Sequence, residues 1–119
     1  MRQSGFDALI ADLLKQDKIV YSGFSAAVVI ASGTLRELER VSDPSEIPPG
    51  YDPAVVWDGL GLSPFSLVVH FESDHRESAA VNGEVESYER HRIPYRTLKD
   101  GEAFVVDGIY KTRLSASDV

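Results

Sequence analysis

Ile19-Val20-Tyr21-Ser22-Gly23-Phe24-Ser25-Ala26-Ala27-Val28-Val29-Ile30 is the stretch on which the reading of this chain turns. Ile19 to Tyr21 has the character of a short buried strand, and an apolar helix leaves after Ser25. Between them glycine and serine make a tight bend. That is the shape of a nucleophile elbow, in which a sharp strand-to-helix turn lifts a serine hydroxyl beside free backbone N–H groups. The usual spacing is G-x-S-x-G, and here it is Gly23-x-Ser25-x-Ala27. Small residues belong there because the backbone folds back on itself and a bulky Cβ would clash. A plain strand-to-helix turn of an α/β domain has the same local signature, so the reading depends on finding a base and an acid elsewhere.

Composition sets the outer bounds. The chain has 119 residues, 43% hydrophobic and 26% charged, as expected of one globular domain with one core. A net charge of −7 argues against nucleic acid, whose phosphates demand a basic face. No cysteine is present, which excludes disulfides, thiolate zinc sites and a cysteine nucleophile. The apolar run Ala26 to Ala31 is too short to cross a bilayer, and no cationic-then-apolar leader precedes it. Those features point to a cytoplasmic protein with no membrane partner.

Outward from the elbow, Ser4 with Asp7 resembles a capping box, and Phe6, Leu9, Ile10, Leu13 and Leu14 recur at helical spacing. That helix should end between Lys15 and Asp17. Ser32-Gly33 should stop the elbow helix. Thr34 to Val41 reads equally as a short helix or an irregular extended segment. Ser42 to Pro53 holds four prolines, whose rings preclude regular helix or ladder, so it is a surface loop. Asp58-Gly59-Leu60-Gly61-Leu62 lacks the strand-then-GxGxxG setting of a dinucleotide site, and no cofactor is assigned. Phe65 to Phe71 is apolar almost throughout, as in a strand buried on both faces, with His70 near its C-terminal end. Ser73 or Asp74 should cap a helix over Arg76 to His91, burying Ala79, Ala80, Val81, Val85 and Tyr88, and Pro94 follows its end. Tyr95 to Leu98, Ala103 to Val106 and Ile109 to Lys111 read as strands of a hairpin region, with turns at Lys99-Asp100-Gly101 and Asp107-Gly108. Ser115 to Val119 is a polar tail that should fray.

A serine hydroxyl attacks only when a base takes its proton and a carboxylate orients that base. Of the three histidines, His70 lies at the strand end, the edge at which open α/β sheets place chemistry. His91 is accounted for as a partner of its helix C-terminus, and His75 falls at the start of the same helix. Asp100, in the turn after Tyr95 to Leu98, and Glu102, two residues on, are the candidate acids, between which the family resemblance given below favours Asp100. A turn-forming aspartate before glycine would look the same. The Ala26 N–H, directly after the serine, is the expected oxyanion donor. His70, Glu72, Asp74 and His75 together offer metal-ligand types, but a charged loop leading into a helix accounts for them, and no metal is assigned.

Tyr21-Ser22-Gly23-Phe24-Ser25-Ala26-Ala27 resembles the Y-x-G-x-S-A-G elbow of the peptidase E family of serine peptidases. Asp58 to Leu62 followed by Phe65 to His70 is similar to that family's D-G-L-G-L…F-S-x-x-x-H segment. Ser73-Asp74-His75-x-Glu77-Ser78, Ile93-Pro94-Tyr95 and Asp100-Gly101-x-Ala103-x-Val105-Val106-Asp107-Gly108 resemble it too. The resemblance implies an α/β fold of the class I glutamine amidotransferase (flavodoxin-like) type, with flanking helices and a C-terminal hairpin. It implies the triad order Ser25, His70, Asp100, and a substrate that is a small peptide with an N-terminal aspartate. Arg76 is the candidate partner for the substrate carboxylate. Ala27 stands where the family has glycine. Residues 1–119 correspond to the C-terminal portion of the family's domain. The front half, with several parallel strands and a glycine-rich loop giving a second oxyanion donor, lies outside that correspondence. The elbow strand would then be an open sheet edge, through which the chain could pair with a second copy or act as a binding module.

Overall fold

A computed structural model describes residues 1–118. The centre is a pair of short parallel strands, β1 (Ser66–Val68) and β2 (Tyr95–Thr97), in register Ser66↔Tyr95 to Val68↔Thr97. Every residue of β1 is buried. The expected strand over Phe65 to Phe71 is therefore shorter, because His70 turns the chain with φ 59° and ends the pleat. Parallel strands need a crossover, and here it is the helix α3 (Ser78–His91). Val81, Val85 and Tyr88 of α3 meet Val68 in the main core cluster, flanked by Val41, Phe71, Ile93 and Tyr95. Successive side chains of a strand face opposite ways, so Leu67 points to the other face, where the elbow helix α2 (Ala26–Val29) packs on β1.

Among the described residues only β2 pairs with β1. The Leu67 N–H instead donates to the Ser32 hydroxyl at 2.9 Å, with Ser32 wholly buried. Ile19 to Tyr21 does not form the expected strand: residues 19–23 have no backbone hydrogen bond within the described chain, and Val20 is 90% exposed. A strand is defined by its ladder, and this segment has no neighbour to supply one. Sheet topology also corrects the hairpin. β2 does not pair with the strand that follows the Asp100 turn. β3 (Ala103–Asp107) pairs antiparallel with β4 (Tyr110–Leu114), closed at Asp107↔Tyr110 by Gly108-Ile109. Gly108 sits at φ 57°, the left-handed conformation that such a two-residue loop requires.

Helix α1 (Phe6–Lys15) is capped by Gly5 rather than Ser4, while Asp7 pairs with Arg2 at 2.7 Å instead of closing a capping box. Its apolar face is only partly used, since Ile10 is buried but Phe6 and Leu9 are half exposed. Neither Ser73 nor Asp74 caps α3, whose N-cap is Glu77, and Ala79 faces solvent. Thr34 to Val41 combines both expectations, an isolated bridge Thr34↔Asp58 and a 3-10 turn at Leu38–Arg40. Ser115 to Asp118 is tied into a 3-10 turn, the Ser115 N–H and hydroxyl both donating to Asp118. Val119 of the expected frayed tail lies outside the described residues.

Glu84 was not expected in the core. It is 3% exposed and accepts the Tyr88 hydroxyl at 2.8 Å, and Tyr88 lies beneath it at 1% exposure. Burial pushes the Glu84 carboxyl above the ordinary range, with the Tyr88 hydrogen bond acting the other way. The folded chain thus holds this proton more tightly than the unfolded one. That stabilisation is fully present below the unfolded carboxyl's value and declines as pH rises towards the folded value. Glu84→Gln keeps an acceptor for Tyr88 and removes the titration. It should raise the thermal midpoint at neutral pH by a few degrees and flatten its decline from weakly acidic to neutral pH, measured by thermal melts across that range.

Candidate active site

The bend before α2 is enforced by fit. A Cβ at Gly23 would lie 2.4 Å from the Ala27 Cβ, so a methyl at position 27 is accommodated because position 23 has none. Ser25 occupies φ 50°, ψ −123°, a conformation that costs a non-glycine residue on the order of 1–3 kcal/mol and persists only where surroundings fix it. One such fixture is Tyr21, whose hydroxyl donates to the Ala27 carbonyl at 2.6 Å across the turn. Tyr21→Phe removes that clamp. It should cost about 1 kcal/mol in urea denaturation.

The two parallel strands deliver the rest of the site, because their C-terminal ends lie side by side. The Phe71 N–H donates to the Leu98 carbonyl at 3.2 Å, joining the turn after β1 to the turn after β2. His70 heads the first turn and Asp100 the second. His70 Nδ1 is 2.7 Å from Asp100 Oδ1, and His70 Nε2 is 3.2 Å from Ser25 Oγ. A carboxylate can only accept, so Nδ1 carries the proton and Nε2 offers its lone pair to the serine hydroxyl. The hydrogen bond from His70 is the chief reason the Asp100 carboxyl sits below the ordinary range. Glu102 does a different job: its carboxylate accepts the Lys99 N–H at 2.8 Å and shapes the turn that presents Asp100.

Around the serine, the Ala27 N–H donates to the Phe24 carbonyl and those of Val28 and Val29 to the Ser25 carbonyl, while the N–H of Ala26, an exposed residue, takes no part in this set. The other candidates lie apart. His91 donates from Nδ1 to the Ser87 carbonyl at 2.9 Å within the last turn of α3, as a helix-end partner. Arg76 extends into solvent, 87% exposed, with only Glu77 at 3.8 Å.

His75 is brought to the site in a way its position in the sequence does not announce, its ring stacked on that of His70. His70, His75 and Glu77 place one ligand-type atom each within 4.8 Å. Imidazole lone pairs lie in the ring plane, so two stacked rings direct them in parallel rather than towards one ion. The set suits a packed pair better than a metal. Glu72 and Asp74, the other members of the expected cluster, are not among these atoms. Glu72 instead pairs with Lys99 at 2.6 Å.

Two hollows, one of about 170 Å³ bordered by Arg2, Ile30 and Leu60 and one of about 420 Å³ beside Arg96 and Arg113, include none of Ser25, His70 and Asp100 in their walls.

Fold and geometry together define an α/β domain of the class I glutamine amidotransferase-like type, with a serine, a histidine and an aspartate in one hydrogen-bonded row at the carboxyl ends of its parallel strands. Its structure is similar to that of a protein from Listeria monocytogenes EGD-e described as a "Putative Peptidase E Protein", with a TM-score of 0.78 and 20% sequence identity. The match covers 96% of this chain and 51% of the Listeria chain, so this chain spans about half the length of that protein. At that identity the likeness carries the fold. No family model and no curated protein matches the sequence. Among the described residues no helix is long and apolar enough to cross a membrane.

Proposed function

We propose that the chain is a serine-type, peptidase E-like hydrolase of small peptides, with N-terminal aspartyl peptides as the first substrates to try. The observation that carries this is the unbroken row Ser25 Oγ–His70 Nε2 and His70 Nδ1–Asp100 Oδ1. The fold likeness supports it. Ser25 Oγ attacks the peptide carbonyl as its proton passes to His70 Nε2, and Asp100 holds the resulting imidazolium. The Ala26 N–H stabilises the oxyanion. Collapse breaks the C–N bond, His70 returns the proton to the leaving amine, and an acyl group stays on Ser25. Water, deprotonated by His70, then releases the acid and restores the serine. No cofactor or metal enters these steps.

The test is fluorophosphonate treatment of the purified chain, with peptide mapping and an assay on aspartyl dipeptides. Phosphonylation confined to Ser25, with loss of dipeptide cleavage in proportion to labelling, is the expected result. A chain that takes up no label and cleaves none of the dipeptides would end this reading.

A second reading has its own observation. The unpaired backbone of residues 19–23, with Val20 and Phe24 at 90% and 85% exposure, suits association with a second copy through that edge. Light scattering on the purified chain decides it, since a monomer at every concentration removes the support.

A further inference from the structure

The His75 imidazole lies flat on that of His70, with ring centroids 3.8 Å apart and planes 11° from parallel. Its own position is fixed from behind. Nδ1 accepts the Glu77 N–H at 3.3 Å, and the Glu77 carboxylate stands 3.8 Å from the same atom. The chain reaches this arrangement by reversing tightly after β1, through His70 at φ 59° and Glu72 at φ 48°. The Glu72–Lys99 ion pair at 2.6 Å fastens that reversal to the turn that carries Asp100. Residues 70 to 77 therefore form a loop that returns residue 75 over residue 70.

His70 has a demanding task, since both ring nitrogens must meet partners at once. Rotation about its Cβ–Cγ bond is intrinsically soft and swings both nitrogens out of line together. The two hydrogen bonds lie in the plane of the ring and resist tilting only weakly. A flat aromatic surface against one face resists tilting directly and keeps water off that face. His75 makes no hydrogen bond to Ser25 or Asp100 among the described residues, so its contact with the row runs through the His70 ring.

Resting on the hydrolase reading above, we infer that His75 is a positioning residue: by stacking on His70 it holds the imidazole in the plane that joins Asp100 to Ser25. The face of the ring is what matters, not its nitrogens. The test compares the full chain with His75→Ala and His75→Phe by two readouts, the second-order rate of Ser25 phosphonylation and the far-downfield proton resonance of the His70 Nδ1–H. His75→Ala should slow phosphonylation about tenfold, the scale of a slightly misplaced catalytic group, and broaden or abolish the resonance. His75→Phe, which keeps the flat surface, should retain the resonance and a rate within about threefold of the parent. An alanine variant equal to the parent in both readouts overturns the inference, as does a phenylalanine variant as impaired as alanine. Should the parent neither take up the label nor cleave the dipeptides, the hydrolase reading fails. The resonance in the three proteins still decides the positioning role.

Discussion

Asp100→Asn is expected to slow phosphonylation of Ser25 about ten-thousandfold while leaving the chain folded. The asymmetry follows from where Asp100 sits. Its side chain is about half exposed, 54%, in a turn, so exchanging a carboxylate for an amide there buries nothing and opens no cavity. Its hydrogen bond nevertheless decides which nitrogen of His70 bears the proton. An asparagine can turn its amide N–H groups towards Nδ1, and the imidazole then carries its own proton on Nε2, facing a hydroxyl from which it can no longer accept one. The pH dependence has a defined sign. The Asp100 carboxyl is held below the ordinary range chiefly by the His70 hydrogen bond, so its orienting charge is present above the ordinary carboxylate value and is lost only as pH falls through the lowered one. The deficit of the asparagine variant should accordingly hold steady from neutral to weakly acidic pH. Glu102→Gln is the control, because its side-chain oxygen still accepts the Lys99 N–H, and it should cost no more than a few-fold. Equal losses in the two variants, or an asparagine variant that labels like the parent, would remove Asp100 from its role.

The row was legible in the sequence to the extent that local chemistry and parallel topology govern it. A strand end and a turn after its parallel neighbour must share one edge of a sheet, so His70 and Asp100 could be brought together on paper. Two small residues, Gly23 and Ala27, could mark the bend at Ser25. What could not be read depended on contacts between segments far apart. Ile19 to Tyr21 has strand chemistry, but among the described residues no backbone group pairs with it. His75 reads as a helix-start residue, and only two positive φ values in three residues turn it back over His70. Glu84 looks like a solvent-facing charge on an amphipathic helix, and its burial reflects the Tyr88 hydroxyl one turn later, a pairing with no sequence signal beyond spacing. The missing signals share a cause: each depends on a partner, or on the lack of one, that only the fold decides.

Gly59→Ala should be the most damaging small substitution in the scaffold, costing about 3 kcal/mol or more in urea denaturation. Added to Gly59, a Cβ would stand 2.0 Å from the Ser32 carbonyl oxygen and 2.9 Å from that of Ile30. Both obstacles are backbone, so no side-chain rotation relieves them and one segment must withdraw. The segments concerned are joined by a set of hydrogen bonds. The N–H groups of Leu60, Gly61, Leu62 and Ser63 donate to the carbonyls of Ile30, Ser32, Ala31 and Ala31 at 2.7, 3.1, 2.9 and 3.1 Å. These donors satisfy carbonyls at and just beyond the end of α2, which would otherwise be left without partners. Withdrawal would break several of them together and loosen the helix whose other end presents Ser25, so phosphonylation should fall along with stability. Gly83→Ala provides the contrast, since nothing lies within 4 Å of its added methyl inside α3. That change should stabilise by about 0.5–1 kcal/mol, the helix preference for alanine over glycine. If both alanine variants share the parent's urea midpoint, the close approach at Gly59 is not what seats the elbow helix.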